Sequence, residues 1–114
     1  MREFLAVMKA LSDENRVKIL KLLQGRSLCV CEIRAALDIA QPTVSKHLKI
    51  LERAGLVRHV KDGLWVNYEI TDGGSSPYAA SLLGSLRHWL SDAPKIESLI
   101  KSLSSIDRRE ICGK

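Results

Sequence analysis

The chain has few of the features that mark a secreted, membrane-bound or disulfide-stabilised protein. It contains only three cysteines in 114 residues, and an odd number argues against a disulfide framework. No apolar run approaches the roughly 20 residues of a membrane span. Residues 1–11 carry charges and no small-residue cleavage site of a signal peptide. We therefore expect a cytoplasmic protein that makes no contact with a membrane.

Signatures of catalysis are also missing. The sequence shows no Ser-His-Asp set, no phosphate-binding loop, no internal repeat and no low-complexity segment. Glu32, Asp38 and Glu52 are better interpreted as surface or capping residues than as paired catalytic carboxylates. The net charge of +5 and the pI of about 9.3 are compatible with a nucleic-acid partner. We expect a binding protein without an organic cofactor, not an enzyme.

Apolar residues at helical spacing predict four helices within residues 4–53. Ser12 is the candidate N-cap of the second helix, and Ser27 is the candidate N-cap of the third, over residues 28–37. A short turn leads to the fourth helix. That helix begins at Pro42, because proline is favoured at the first helical position.

A period of two predicts a β-hairpin after these helices. Apolar and polar residues alternate over residues 64–70, residues 57–60 form the preceding strand, and residues 61–63 carry an Asp-Gly turn signal. Pro77 and Pro94 each open a further helix. The order predicts a mainly α fold with a small β-hairpin, which is typical of a winged helix-turn-helix.

The domain organisation follows from the same pattern. Residues 1–106 are predicted to form one winged helix-turn-helix domain with terminal dimerisation helices, and residues 107–114 a flexible tail. The apolar stripes within residues 4–11 and 79–90 look too apolar for a monomer of this size. We expect them to form the two-fold interface of a homodimer.

The helix that begins at Pro42 has the composition of a DNA-reading helix. Val44, Leu48 and Leu51 are spaced to face the core, which leaves short polar groups and cations on the other side. Short polar groups read base edges in the major groove, and cations hold phosphates. The predicted DNA-binding residues are Gln41, Thr43, Ser45, Lys46, His47, Lys49, Arg53 and, on the hairpin, Lys61.

Two of these positions have a second interpretation. His47 falls toward the core flank of its helix, so it can be structural instead of contacting a phosphate. The hairpin tip is expected beside the DNA backbone or the minor groove, where the single Lys61 attracts DNA only weakly. For the helix alone, an ordinary solvated face is the alternative. The neighbouring helix, turn and hairpin together favour DNA binding.

Cys29 and Cys31 lie one residue apart where the third helix is predicted to begin. Inside a regular helix, side chains two residues apart point to nearly opposite sides, because each residue turns by about 100°. At a helix start the backbone can open, and the two sulfurs can then converge on one soft ion. A structural zinc site typically requires four ligands, and this chain has only three cysteines. If both were small buried hydrophobes, they could not both face the core around Val30.

Three stretches resemble the ArsR/SmtB family of bacterial metal-responsive repressors, and in particular its arsenic-responsive branch. These are residues 27–33, 41–48 and 61–68, and the resemblance extends over roughly residues 4–106. It implies a homodimer that represses its own operon on double-stranded operator DNA until arsenic(III) or antimony(III) binds. In the arsenic branch a further cysteine often stands where this chain has Arg34. This difference leaves a two-thiol metal site or recruits Cys112 as a third ligand.

Other sensing chemistries stay open. Zinc-type members of the family use His and carboxylate pairs on the C-terminal dimer helix, where this chain offers only His88 near Asp92. A thiol redox-sensing repressor, or one that senses cadmium, lead or zinc, is an alternative of the same fold. A winged-helix module that binds protein is the alternative outside gene regulation.

Overall fold

The computed structural model describes residues 1–74 and 76–106. The elements in chain order are α1 (Arg2–Ala10), α2 (Glu14–Leu23), β1 (Leu28–Cys29), α3 (Val30–Leu37), α4 (Gln41–Arg53), β2 (Val57–Asp62), β3 (Trp65–Ile70), α5 (Pro77–Leu86) and α6 (Pro94–Leu103). This order confirms the predicted winged helix-turn-helix, with α3 and α4 as the helix pair and β2 and β3 as the wing. In the described part of the chain, no helix is long and apolar enough to cross a membrane.

The three strands form one antiparallel sheet in the order β1-β3-β2. Strand β1 was not predicted, because the sequence pattern placed Leu28 and Cys29 inside a helix. The two residues pair with Tyr68 and Asn67 of β3, and this long-range pairing holds them extended. Helix α3 therefore begins two residues later than predicted, at Val30.

The hairpin turn also differs from its prediction. Strand β2 runs on to Asp62, so the connection between β2 and β3 consists of Gly63 and Leu64 alone. Gly63 has a φ of 61°, which a two-residue hairpin turn requires at its first central position and which glycine adopts without strain. Leu64, predicted to lie in the strand, is part of the turn.

The core lies between the helices and the inner face of the sheet. The helical spacing of α4 is confirmed, because Val44, Leu48 and Leu51 are all fully buried. The largest fully buried side chains of the described residues are Val7, Ile19, Leu20, Leu22, Leu28, Ile33, Val44, Leu48, Leu51, Leu56 and Val57. These side chains come from α1, α2, α3, α4 and the base of the sheet, so α4 is held from several directions.

Helix α2 is capped by Asp13 and not by Ser12. The Asp13 Oδ1 accepts hydrogen bonds from the backbone N–H groups of Asn15 at 2.9 Å and Arg16 at 3.2 Å. The Ser12 hydroxyl instead donates to the Lys9 carbonyl at 2.8 Å, so it is turned back toward α1. Serine and aspartate both favour N-cap positions, and the geometry of the α1–α2 turn makes Asp13 the cap.

Helix α5 ends at Leu86, before the predicted apolar stripe of residues 79–90 is complete. A buried ammonium group lies at this end. The Lys21 side chain is only 3% exposed, and its Nζ donates to the carbonyls of Leu86 at 3.0 Å and Trp89 at 2.8 Å. It also donates to the Ser91 hydroxyl at 3.3 Å. Burial lowers the pKa of Lys21, and these acceptors take the place of water around its charge.

Candidate DNA-binding surface and thiol site

The outer face of α4 carries most of the predicted DNA-binding residues. Gln41, Thr43, Ser45, Lys46, Lys49 and Arg53 are all exposed. Because the apolar residues of the helix are buried, the short polar groups and the cations share the solvent-facing side. This is the distribution that a helix in a major groove requires.

The turn between α3 and α4 fixes the direction of this face. Asp38 ends α3 in the left-handed conformation, with a φ of 55°, and its N–H donates to the Arg34 carbonyl at 2.8 Å. Ala40 is the extended N-cap of α4, and Pro42 stands in the first turn of the helix. Helices α3 and α4 pack directly on each other. The position of α3 therefore helps to fix the position of α4.

His47 lies beneath the exposed row. It is 9% exposed, and its Nδ1 lies 3.2 Å from a guanidinium nitrogen of Arg16. Arg16 also donates to the carbonyls of Ala10 at 2.7 Å and Lys9 at 3.1 Å. The structure thus places His47 in a contact that ties α4 to the end of α1, and a direct DNA contact by this residue stays a prediction. The sequence pattern gave no sign of Arg16.

The wing carries fewer available charges than α4. Lys61 is exposed, as predicted. The Arg58 guanidinium is paired with the Glu69 carboxylate at 2.7 Å. At the base of the wing, His59 Nδ1 lies 2.5 Å from a Glu52 carboxylate oxygen and so joins β2 to the end of α4.

Cys29 stands at the junction of β1 and α3. It is the N-cap of α3, with extended backbone angles of φ −85° and ψ 167°, which corrects the prediction of Ser27 as the cap. Cys29 is a free, buried thiol. Cys31 follows within the first turn of α3 and is half-buried. The two cysteines therefore do not share a regular helical turn, since the first of them is in extended backbone.

Glu32 organises this helix start. Its Oε1 accepts the Cys29 backbone N–H at 3.0 Å, and the Cys29 side chain accepts the Glu32 N–H, which completes a capping box. Glu32 is 5% exposed, and its second oxygen pairs with Arg26 at 3.3 Å. Burial raises the pKa of the Cys29 thiol, and the Glu32 charge acts in the same direction. The sequence interpretation of Glu32 as a capping residue is confirmed.

The described residues do not complete a metal site by themselves. Across residues 1–74 and 76–106, no group of three or more His, Cys, Asp or Glu side chains is placed to hold a metal ion. His88, the weak candidate of the zinc type, is exposed. Cys112, the candidate third ligand, lies outside the described residues. A three-sulfur site therefore requires a donor beyond Cys29 and Cys31.

Comparison with known proteins places this architecture in a family. The family model described as bacterial regulatory protein, arsR family, matches residues 13–59, which include α2, α3 and α4. The chain is similar to the arsenical resistance operon repressor of Escherichia coli, with 34% identity over 110 residues that cover 92% of each protein. The chain belongs to the arsR family. It is a transcriptional repressor with a winged-helix DNA-binding fold, and these family relatives are regulators and not enzymes.

Other relatives differ in the resistance that their names state. The chain is similar to a cadmium resistance transcriptional regulatory protein, the CadC homolog of Staphylococcus aureus, at 39% identity over 58% of this chain and 55% of that protein. Among solved structures, it resembles the homodimeric winged helix-turn-helix DNA-binding domain Mb0332 of Mycobacterium bovis. That match has a TM-score of 0.64 and 28% identity, and it covers 76% of this chain and 77% of the domain.

Proposed function

We propose that this repressor controls an arsenic-resistance operon and leaves its operator when arsenic(III) or antimony(III) binds Cys29 and Cys31, with Cys112 as the third ligand. The observation that carries the proposal is the position of Cys29 as the extended N-cap of α3. There the sulfurs of the reduced protein can be drawn together by distorting one helix start instead of breaking a regular helix. Soft sulfur ligands suit a thiophilic centre.

The environment of the Cys29 thiol favours a neutral inducer. Arsenous acid condenses with protonated thiols, and one water leaves for each arsenic–sulfur bond formed, so no proton is released. A divalent cadmium ion must instead displace a proton from each thiol that binds it. Cys29 is 3% exposed and has the Glu32 carboxylate beside it. This environment raises the pKa of the Cys29 thiol, so it penalises the thiolate that cadmium needs more than the thiol that arsenous acid uses.

The length of the chain allows Cys112 to serve the site of its own subunit. Helix α6 packs on α3, and Ala36 of α3 lines one shallow cleft together with Leu99 and Ser102 of α6. Cys112 comes nine positions after Leu103, the end of α6. Such a segment spans up to about 30 Å at 3.3–3.6 Å per residue, whereas α3 is only about 12 Å long. A third sulfur from the same chain is therefore within reach.

The contacts of Cys29 explain how inducer binding would lower the affinity of the repressor for DNA. Its N–H is held by Glu32, and its backbone pairs with Asn67 of the wing strand β3. Moving Cys29 toward Cys31 disturbs both contacts, and α3 carries the change to α4. By linkage, the operator must then weaken inducer binding by the same factor.

We also propose that the repressor acts as a homodimer joined through α1 and α5. Phe4 and Tyr78 connect these helices edge-to-face, with ring centroids 5.4 Å apart. Both remain more than a third exposed, and Leu5 is 54% exposed. Ala79 and Leu83 of the predicted stripe are instead buried within the subunit. Two recognition helices related by this dimer would read half-sites about one helical turn apart.

The proposal is tested by fluorescence anisotropy of DNA from upstream of the gene, with reduced protein and increasing arsenite. We expect arsenite to release the wild type, Cys29→Ser and Cys31→Ser to stay bound, and Cys112→Ser to need more arsenite. Cadmium chloride provides the competing arm. Release by cadmium but not by arsenite would overturn the arsenic assignment, and release of the Cys29→Ser/Cys31→Ser double variant would overturn the site.

A further inference from the structure

The guanidinium group of Arg16 joins three helices. Arg16 lies in the first turn of α2 and is half-buried. Its Nε donates to the Ala10 carbonyl at 2.7 Å, and one Nη donates to the Lys9 carbonyl at 3.1 Å. The other Nη lies 3.2 Å from His47 Nδ1 on α4. All three nitrogens of one planar group are therefore in use, and α1, α2 and α4 meet at it.

The hydrogen bond with His47 has only one possible direction. A guanidinium carries donors and no acceptor, so Arg16 donates and His47 Nδ1 accepts. Nδ1 therefore carries no proton in this contact, and the ring proton is on Nε2. Because the nitrogens of Arg16 have fixed relative directions, the imidazole cannot move away from α1 without losing this hydrogen bond.

Arg16 also closes the end of α1. The carbonyls of Lys9 and Ala10 belong to the last turn of that helix. The carbonyls of a last turn have no intrahelical partner and form the negative end of the helix, where a cation is favoured. The same side chain therefore holds both the end of α1 and the position of His47 on α4.

Helix α1 connects the proposed partner subunit with the recognition helix α4. Phe4 and Leu5 are exposed on α1, whereas Val7 and Ala10 are buried in the core. Helices α1 and α4 also pack directly on each other. Apolar packing has no preferred direction, so it holds α1 against α4 without defining the angle between them. Directional hydrogen bonds can define that angle.

We propose that Arg16 is a positioning residue that fixes α4 relative to α1 and thereby makes the repressor selective for the spacing of its two half-sites. The inference rests on the homodimer proposed above. In a dimer joined through α1, a rotation of α4 about α1 changes the distance between the two recognition helices. One base pair added between half-sites moves them about 3.4 Å apart and turns them by about 35°. A rigid dimer binds such an operator poorly, and a looser dimer tolerates it.

The first test measures the binding of wild type, Arg16→Met and Arg16→Lys to operators with the native spacing, one base pair more and one fewer. Wild type should lose about 30-fold in affinity when the spacing changes, and Arg16→Met only about threefold. The tenfold difference is about the contribution of one hydrogen bond from a charged donor. Arg16→Lys keeps one donor group and should lie between them. Lys101→Met removes an exposed cation from α6 and should keep the wild-type ratio.

The outcomes separate this inference from the dimer. Each variant is judged by the ratio of its affinities for two DNAs, which a lower folded fraction does not change. A selective wild type with an equally selective Arg16→Met would overturn the role of Arg16 and leave the dimer in place. A wild type that is indifferent to spacing would overturn the dimer and, with it, this inference. No arsenite is used, so neither result bears on the inducer.

The second test asks which nitrogen of His47 matters. In His47→Asn the amide oxygen can take the place of Nδ1 and accept from Arg16, whereas glutamine carries its amide one carbon further, near the place of Nε2. His47→Asn should therefore keep the wild-type spacing ratio, and His47→Gln should resemble Arg16→Met. Equal ratios for the two variants would overturn the proposal. A better ratio for His47→Gln would also overturn it, because His47 would then act through Nε2.

Discussion

The helices α2 and α3 begin in opposite ways, although both have an N-cap residue in extended backbone. Asp13 starts α2 with a carboxylate that accepts two backbone N–H groups, beside the cationic Arg16. Cys29 starts α3 with a sulfur, which is a weak acceptor. Glu32 supplies the stronger half of the α3 cap by accepting the Cys29 N–H.

This contrast shows which of the two helix starts can change its conformation while the rest of the fold stays in place. The start of α2 supports the contacts of Arg16 with α1 and His47, and nothing in its chemistry responds to a soft ligand. The start of α3 is held by a weaker cap that contains the proposed ligand itself. A bound metalloid therefore competes with a weak hydrogen bond, while the strong cap keeps the rest of the DNA-binding unit in place.

Giving α3 the oxygen cap that α2 already has should produce the largest effect. Cys29→Ser keeps an N-cap of a favoured type and removes the soft ligand. We expect Cys29→Ser to stay bound to the operator at arsenite concentrations about 100-fold above those that release the wild type, because loss of the ligand removes the coupling between the two sites. The melting temperature should be equal to or above that of wild type. A normal arsenite response in the anisotropy titration would contradict the ligand role of Cys29.

Removing the supporting half of the α3 cap should have the next largest effect. Glu32→Ala leaves the buried Cys29 N–H without its acceptor, so we expect a loss of about 2 kcal/mol in the free energy of unfolding. Glu97→Ala, in the first turn of α6, removes an exposed carboxylate and should change stability much less. Urea unfolding of both variants measures the difference. Equal stabilities would mean that Glu32 does not hold the helix start.

Weakening the strong cap should cost about as much as an N-cap typically contributes. Asp13→Ala is expected to lower the free energy of unfolding by about 1 kcal/mol. Ser12→Ala, at the neighbouring residue that does not cap the helix, is the matched control and should be nearly neutral. The same urea titration compares them. A larger loss of stability for Ser12→Ala than for Asp13→Ala would mean that Asp13 is not the residue that caps α2.

The smallest expected effect depends on pH. Burial raises the pKa of Asp13, but the N–H and the charge of Arg16 lower it further, so the net pKa lies below the ordinary 3.8. The charged form therefore stabilises the fold above pH 4, and this contribution disappears as the pH falls through the lowered pKa. Asp13→Asn keeps the cap without the charge. Its stability should be a few tenths of a kcal/mol below wild type at pH 6 and approach it at pH 3, measured by thermal unfolding. A gap that does not narrow between pH 6 and pH 3 would exclude the charge as its cause.

Local pattern predicted most of the fold because the strongest signals are local. The spacing of Val44, Leu48 and Leu51 with Pro42 gave α4, and alternation gave the wing. Strand β1 could not be predicted, because Leu28 is extended only through its pairing with Tyr68, far along the chain. Without β1, the α3 cap was assigned to the wrong residue.

The candidate site likewise contains some residues that the sequence predicts and others that it does not. The exposed row of α4 follows from helical periodicity, and the thiol pair was visible as a motif. The contact of Arg16 with His47 joins residues from two helices, and the burial of Lys21 depends on carbonyl groups beyond α5. Neither leaves a periodic signal. The spacing of Glu32 from Cys29 was a readable capping-box pattern once the cap residue was known.

The buried Lys21 also orders events during synthesis. Its acceptors on Leu86, Trp89 and Ser91 leave the ribosome long after α2, α4 and the wing have emerged. Until then the ammonium group keeps water around it, because the segment that supplies its acceptors also helps to cover it. The burial of Lys21 is therefore a late step of folding, which follows the synthesis of α5 and joins α2 to the segment after it.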